Sequence, residues 1–344
     1  MGLFARTVFW QRIGAAGIAL MLLAAAMAFA TSIGETSIPI KTVIDALANH
    51  VFGTTHPVDA IDAGIIWNYR LSRAVVAASC GAGLAVSGVV LQALLRNSLA
   101  DPYLLGISAG ASTGAVSVVI LGLGGGMLSL SMGAFAGALV AFVFVSLLAL
   151  QAGRCPGAII LAGIAGSQMF NALTSFIVTK SANAEQARGI MFWLLGSLSG
   201  VRWPDAALAV PVIGAGLLVC LCYARALDAF TFGRESAASL GIPVRRVHVL
   251  LIGTSALMTA VMVSIVGSIG FVGLVIPHAA RFFVGVRHGL LLPLAALIGA
   301  LFLVGADVVS RIILPGQVVP IGVVTALVGA PAFALILCHR RVLR

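Results

Sequence analysis

The chain has 344 residues, 61% of them hydrophobic and only 9% charged, with 20 Lys and Arg against 10 Asp and Glu and a net charge of +10. A soluble domain carries roughly 25% charged residues, so a water-facing globule is excluded. The positive surplus does not point to nucleic acid, because the basic residues are scattered at the ends of apolar runs, where membrane topology puts them.

The apolar runs are continuous rather than alternating, which predicts an all-α, polytopic membrane protein. Arg6 and Arg12 precede the first run, Ile13–Ala30. Ala28-Phe29-Ala30 has the small-residue pattern of a signal-peptide cleavage site, but the many runs that follow favour a retained span. Thr31–Tyr69 is polar enough to lie outside the membrane, with a short helix near Ile40–Ala48. Further runs follow at Ala74–Leu95, Leu104–Leu123, Met127–Leu150, Ala158–Thr179, Ala206–Tyr223, Val247–Ile265, Gly267–Ala280, Leu290–Ala306 and Ile321–Cys338. With the first run they make ten spans in a single domain over residues 1–344. Gly267–Ala280 is short and Gly-broken, and reads as a half-span helix.

Several stretches interrupt this pattern. Gly106, Gly110 and Gly114 share one helix face, and Gly133 and Gly137 repeat the spacing, which lets helix backbones approach closely within the chain or between two copies. Ala182–Gly200 is amphipathic and too short to span, so it reads as a helix dipping into the outer half of the membrane, or else as an interfacial helix anchored by Trp193 and Trp203. Asp228–Arg246 is polar and lies between two spans. Its middle is helix-like, Gly241 is placed to stop a helix, and Pro243 lies just beyond. Such a segment offers a handle to a soluble partner.

Ten spans put both termini on one side. The loops on that side hold thirteen basic and three acidic residues, against seven of each on the other. The positive-inside rule therefore assigns the termini and Asp228–Arg246 to the cytoplasm, and Arg70, Arg73 and Arg311 to the outside.

Few motifs suggest chemistry. The two lysines, Lys41 and Lys180, follow no glycine, so there is no P-loop and no ATPase in this chain. Gly106-Ile107-Ser108-Ala109-Gly110 matches a nucleophile elbow, but it opens a membrane helix rather than sitting in a strand-turn-helix. The six histidines have no metal-ligand spacing. Cys220 and Cys222 point in different directions on a helix and read as core filling, with no disulfide framework. Asp307 and Arg311, four apart, can pair along one helix face. So little other intramembrane charge argues against an ion-coupled secondary transporter.

Three blocks carry a family resemblance. They are Asn68-Tyr-Arg70-Leu-Ser-Arg73 with the run ending Leu91-Gln92-Ala-Leu-Leu-Arg96-Asn97-Ser-Leu-Ala-Asp101-Pro102-Tyr-Leu-Leu-Gly106-Ile-Ser108-Ala-Gly110; Gly270-Phe-Val-Gly273-Leu-Val-Ile-Pro277-His278-Ala-Ala-Arg281; and Pro320-Ile-Gly322-Val-Val-Thr325-Ala-Leu-Val-Gly329-Ala-Pro331. From about Trp67 to the C-terminus the chain resembles the FecCD family, the permease subunits of ABC importers for iron chelates, haem and cobalamin. The resemblance implies the type II importer permease fold, with ten spans per subunit. It also implies an inner-membrane homodimer, two ABC ATPase subunits below and a periplasmic binding protein above. No cofactor is expected in this chain, since ATP and Mg belong to the ATPase.

By the same resemblance the coupling residues are Gly233, Arg234, Glu235, Ala237, Leu240 and Gly241, of which Gly233, Leu240 and Gly241 stand on the family pattern. Arg70, Arg73 and Arg311 match arginines that meet glutamates of the binding protein, a task suited to a permanently charged, bidentate side chain. Asn97 matches a residue of the cytoplasmic gate. The chain departs from the pattern at Ser72 (usually Pro), Arg234 (commonly Glu), Arg287-His288-Gly289 (for Asp-His-Arg) and Val318 (for an acidic residue). A ferric siderophore is the expected cargo because iron chelates are the broadest group in the family. Haem and cobalamin are alternatives that the sequence does not separate. A secondary transporter and an intramembrane serine hydrolase using Ser108 are the rival readings.

Overall fold

The computed structural model describes residues 2–34, 38–153, 156–180 and 184–342. The chain opens with α1 (Gly2–Ser32), α2 (Ile40–Phe52) and α3 (Ala60–Ile65). A π turn (Ile66–Leu71) leads directly from α3 into α4 (Ser72–Leu94), and a 3-10 turn (Pro102–Leu105) precedes α5 (Ile107–Leu121). Next come α6 (Leu130–Gln151), α7 (Pro156–Thr179), α8 (Ala184–Leu194), α9 (Trp203–Cys222), α10 (Ala224–Phe230) and α11 (Arg234–Ser239). The chain closes with α12 (Val244–Val266), α13 (Val272–Val284), α14 (His288–Ile312) and α15 (Ile321–Val342). Among the described residues the only β contact is one isolated bridge between Leu314 and Gln317.

Six helices are long and apolar enough to cross a membrane: Ala60–Leu94, α6, α7, α9, α12 and α14. Four shorter apolar helices, Ala16–Ser32, α5, α13 and Ile321–Ile336, fill the remaining predicted positions. The expected half-span is α13, thirteen residues long. α8 and α11 fall inside the two stretches set apart as non-spanning. Ala28–Ala30 lies within the unbroken α1, where Ala30 is buried in the core and Phe29 is exposed.

Two boundaries differ from expectation. The stretch up to Tyr69 is not a loop: helix runs without interruption from Ala60 to Leu94. Charge marks where the apolar run stops, but a helix continues past that point when its backbone stays hydrogen-bonded and its polar side chains reach the interface. The third predicted run is broken at Gly106, whose φ of 76° is left-handed and separates the 3-10 turn from α5.

The core is organised around α4. Most of its apolar window, 83%, is buried, against 28–33% for α6, α7 and α9, whose Leu, Val and Phe side chains are largely exposed. α14, α9, α12 and α13 wrap α4. Glycine permits the closest crossings. A Cβ at Gly81 would collide with the carbonyl of Gly299 on α14, and one at Gly88 with the carbonyl of Gly273 on α13. Gly110 and Gly114 of α5 meet Gly137 and Gly133 of α6 in the same way. The small-residue stripes therefore serve packing inside one chain.

Candidate functional site

Polar groups gather at the two ends of α4. At the end that the charge count assigns to the outside, three arginines converge from two helices. Arg73 Nε donates to Asp307 Oδ1 at 2.7 Å, and Arg311 Nη2 pairs with Asp307 Oδ2 at 3.1 Å. The Asp307 side chain is only 2% exposed. The predicted pair along α14 exists, and Arg73 of α4 completes a triad around one carboxylate.

The same arginines also cap α1. The last carbonyls of a helix have no partner of their own, and basic side chains can satisfy them. Arg311 donates to Ile33 O (2.6 Å) and Ala30 O (3.0 Å), and Arg70 Nη1 donates to Thr31 O (3.1 Å) and Ser32 O (3.2 Å). The structure thus brings Arg70, Arg73 and Arg311 together, and it engages them internally. Sequence reasoning missed the α1 carbonyls, because backbone acceptors leave no trace in residue type. Ser72 is buried and donates to Asn68 O at 2.9 Å, bridging the end of the π turn. Beside the cluster, Trp203 Nε1 donates to Trp67 O (3.0 Å), and the Arg202 guanidinium lies 4.3 Å from the Tyr69 ring centroid.

At the opposite end, α10 and α11 form the segment between α9 and α12. Gly233 (φ 114°) opens α11, and Gly241 (φ 79°) ends it. Ile242 N–H bonds Ala237 O and Gly241 N–H bonds Ala238 O, the paired bonds of a Schellman stop. Ala237 is buried, whereas Glu235, Leu240 and Gly241 are exposed, so this short helix presents a solvent face. Arg234 Nη2 lies 2.9 Å from His248 Nε2 on α12; a guanidinium can only donate, so the imidazole accepts. Asp228 of α10 accepts from His288 N–H (2.8 Å) and from His288 Nδ1 (2.7 Å). It thereby supplies the N-terminal cap that α14 lacks from its own flanking residue and fastens the segment to α14. A cavity of about 790 Å³ opens beside it, with Tyr223, Arg225, Leu240 and Arg246 in its wall.

Asn97 lies in the turn that follows α4. Its Oδ1 accepts from Leu99 N–H (2.9 Å). Asp101 Oδ1 accepts from Tyr103 N–H (2.9 Å), and burial pushes the Asp101 carboxyl up to about 6. The turn is fastened to the stretch before α13: Tyr103 OH donates to Ile269 O (3.0 Å) and accepts from Ile269 N–H (2.9 Å). Ser108 Oγ donates to Ser268 Oγ at 2.9 Å, so the nucleophile-elbow serine faces another hydroxyl rather than a base. No group of His, Cys, Asp and Glu suited to a metal occurs among the described residues.

Gln92, on the last turns of α4, is 4% exposed. Its Nε2 lies 3.3 Å from Ala100 O, 3.3 Å from Gly273 O and 3.5 Å from Leu274 O. Pro277 has no N–H, so the Gly273 carbonyl, four residues back, loses its helical donor. Gln92 supplies that donor from the neighbouring helix. The sequence held both halves of this contact, an amide in an apolar run and a proline inside a helix, but not their meeting.

The profile of the FecCD transport family matches residues 21–339. The chain is 38% identical to the cobalamin import system permease protein BtuC of Halobacterium salinarum, over 98% of both chains. It is also 38% identical to the vitamin B12 import system permease protein BtuC of Citrobacter koseri, over 80% of this chain and 83% of that one. Among solved structures, a transporter assigned to the metal-chelate type of ABC transporter, in an inward-facing conformation, superposes with a TM-score of 0.81 at 29% identity. That match covers 93% of this chain and 97% of the other.

Proposed function

The chain belongs to the FecCD transport family as a multi-pass ABC importer permease, and from that premise we propose that it carries a corrinoid such as cobalamin into the cell. The observation that carries the cargo is the 38% identity, end to end, to a permease named for cobalamin import. A ferric siderophore is the second reading, favoured by the likeness to a transporter of metal-chelate type.

In this proposal the chain forms a homodimer in the cytoplasmic membrane with both termini inside. It performs no covalent chemistry. Two ATPase subunits, which bind ATP and Mg, grip the exposed face of α11 at Glu235, Leu240 and Gly241 with the half-buried Arg234 beside it, a face that the buried Gly233 and Ala237 hold in place. Solvent exposure of Glu235 and Leu240, beside an anchored Ala237, supports that role. A binding protein docks on the opposite end. There two guanidiniums, Arg73 and Arg311, pair with the one carboxylate of Asp307, which leaves a net positive cluster for acidic groups to meet. Asn97 stands at the cytoplasmic gate. A path lined by apolar and small side chains suits release of a bulky chelate, and leaves selection chiefly to the binding protein.

The test is uptake into vesicles containing the permease, its ATPase and its binding protein. ATP-dependent accumulation of cyanocobalamin, with none of a ferric siderophore, is the expected result. Siderophore uptake alone would transfer the role to the second reading. Accumulation by the chain without an ATPase would overturn the importer reading itself.

A further inference from the structure

We propose that Gln92 is a positioning residue of the transport cycle: its amide ties the Asn97 turn to half-helix α13, so that movement of the coupling segment reaches that turn. The inference rests on the importer reading above and deepens it.

Two bodies meet at this amide. The first is the turn from Arg96 to Gly106. The second is Ser268–Leu274, the entry to α13. Three side chains span them: Gln92 to Gly273 O and Leu274 O, Tyr103 to both main-chain groups of Ile269, and Ser108 to Ser268. Packing leaves no slack, since a Cβ on Gly273 would strike the Pro102 ring and one on Gly88 would strike the Gly273 carbonyl. At its far end α13 stops at Gly285, and three residues later His288 is held by Asp228 of α10. One route from coupling segment to turn therefore runs through the His288 joint at the start of α14 and along α13, beside a direct approach in which a Cβ on Gly233 would lie 3.5 Å from Arg96 Nη1.

Gln92 differs from the other ties in doing two jobs. It gives the Gly273 carbonyl the donor that Pro277 removed, and with the same nitrogen it holds Ala100 O, inside the turn. Among the described residues its Oε1 has no hydrogen-bond partner. Replacing Gln92 with Met, of similar length, therefore removes only the donors. The two jobs can then be separated, because Pro277→Ala restores an N–H to Gly273 O within α13 and leaves Ala100 unheld.

The experiment compares wild type, Gln92→Met, Pro277→Ala and the double variant, each assembled with the ATPase in vesicles. Melting temperature and cargo moved per ATP hydrolysed are measured. The expected result is that Gln92→Met lowers both, the ratio by about tenfold, within what coupling residues contribute. The double variant is expected to melt with Pro277→Ala while its ratio stays low. A normal ratio in Gln92→Met, or recovery of ratio along with stability in the double variant, would overturn the proposal and leave Gln92 a carbonyl satisfier only. If Gln92→Met does not assemble, the double variant decides alone. Absence of ATP-driven uptake in wild type would instead remove the importer reading.

Discussion

Asp307 is the residue with the most to lose. Its carboxylate, buried to 2% exposure, faces Arg73 and Arg311. Removing one partner of a buried ion pair leaves uncompensated charge, typically a loss of about 3–5 kcal/mol. Asp307→Ala is expected to lower the melting temperature of the purified permease sharply, and Asp307→Asn less, because the amide oxygen still accepts. Equal melting of Asp307→Ala and wild type would show that the arginines find other partners. Asp101 carries a pH signature. Burial pushes its carboxyl up to about 6 in the folded chain, above the ordinary aspartate value of about 4, so between those limits the folded state holds the proton more firmly than the unfolded one. Stability therefore falls as pH rises from about 4 to about 6 and levels off above. Asp101→Asn keeps an acceptor for Tyr103 N–H and is expected to flatten that slope in melts taken across the window. The sequence made Arg70, Arg73, Arg311 and Asp307 visible, because charge is rare here. It could not show that α1's carbonyls share them, since main-chain acceptors are the same at every residue.

Whole elements answer to glycine. Gly114 stands where any side chain would strike the Gly133 carbonyl, so Gly114→Val is expected to force α5 from α6. Overpacking of this kind costs about 1–3 kcal/mol, readable as a lower melting temperature and a broader gel-filtration profile. Gly241 acts differently, because open space surrounds it and only its φ of 79° demands glycine. Gly241→Ala is expected to cost about 1–2 kcal/mol of local stability at the α11 stop. Cargo moved per ATP should drop while the global melt stays near wild type. Loss of both would mean that α11 is integral to the core. Helix positions were largely legible because lipid-facing runs announce themselves by composition. The continuation of helix from Ala60 through Arg73 was not, because polar residues read as loop although the backbone there is helical. The half-span α13 was legible from its length, but not the repair of its proline gap by α4.

For the molecule as a whole, the charge asymmetry makes a claim about topology. Phe52 and Val286 are exposed, at the ends of α2 and α13. In a variant whose natural cysteines are serines, a membrane-impermeant maleimide is expected to label Phe52→Cys in intact spheroplasts, and Val286→Cys only after lysis. The reverse pattern would invert the orientation and move α11 to the outer face. The central place of α4 has a further consequence, for how the protein is made. α4 leaves the ribosome early, yet the helices that enclose it, α9, α12, α13 and α14, are all synthesised later. At about 5–20 residues per second, the last of them follows on the order of ten seconds or more afterwards. Between Ala74 and Leu94 only Ser79, Ser87 and Gln92 carry oxygen or amide groups in their side chains, so the nascent helix can wait in lipid until its sheath arrives.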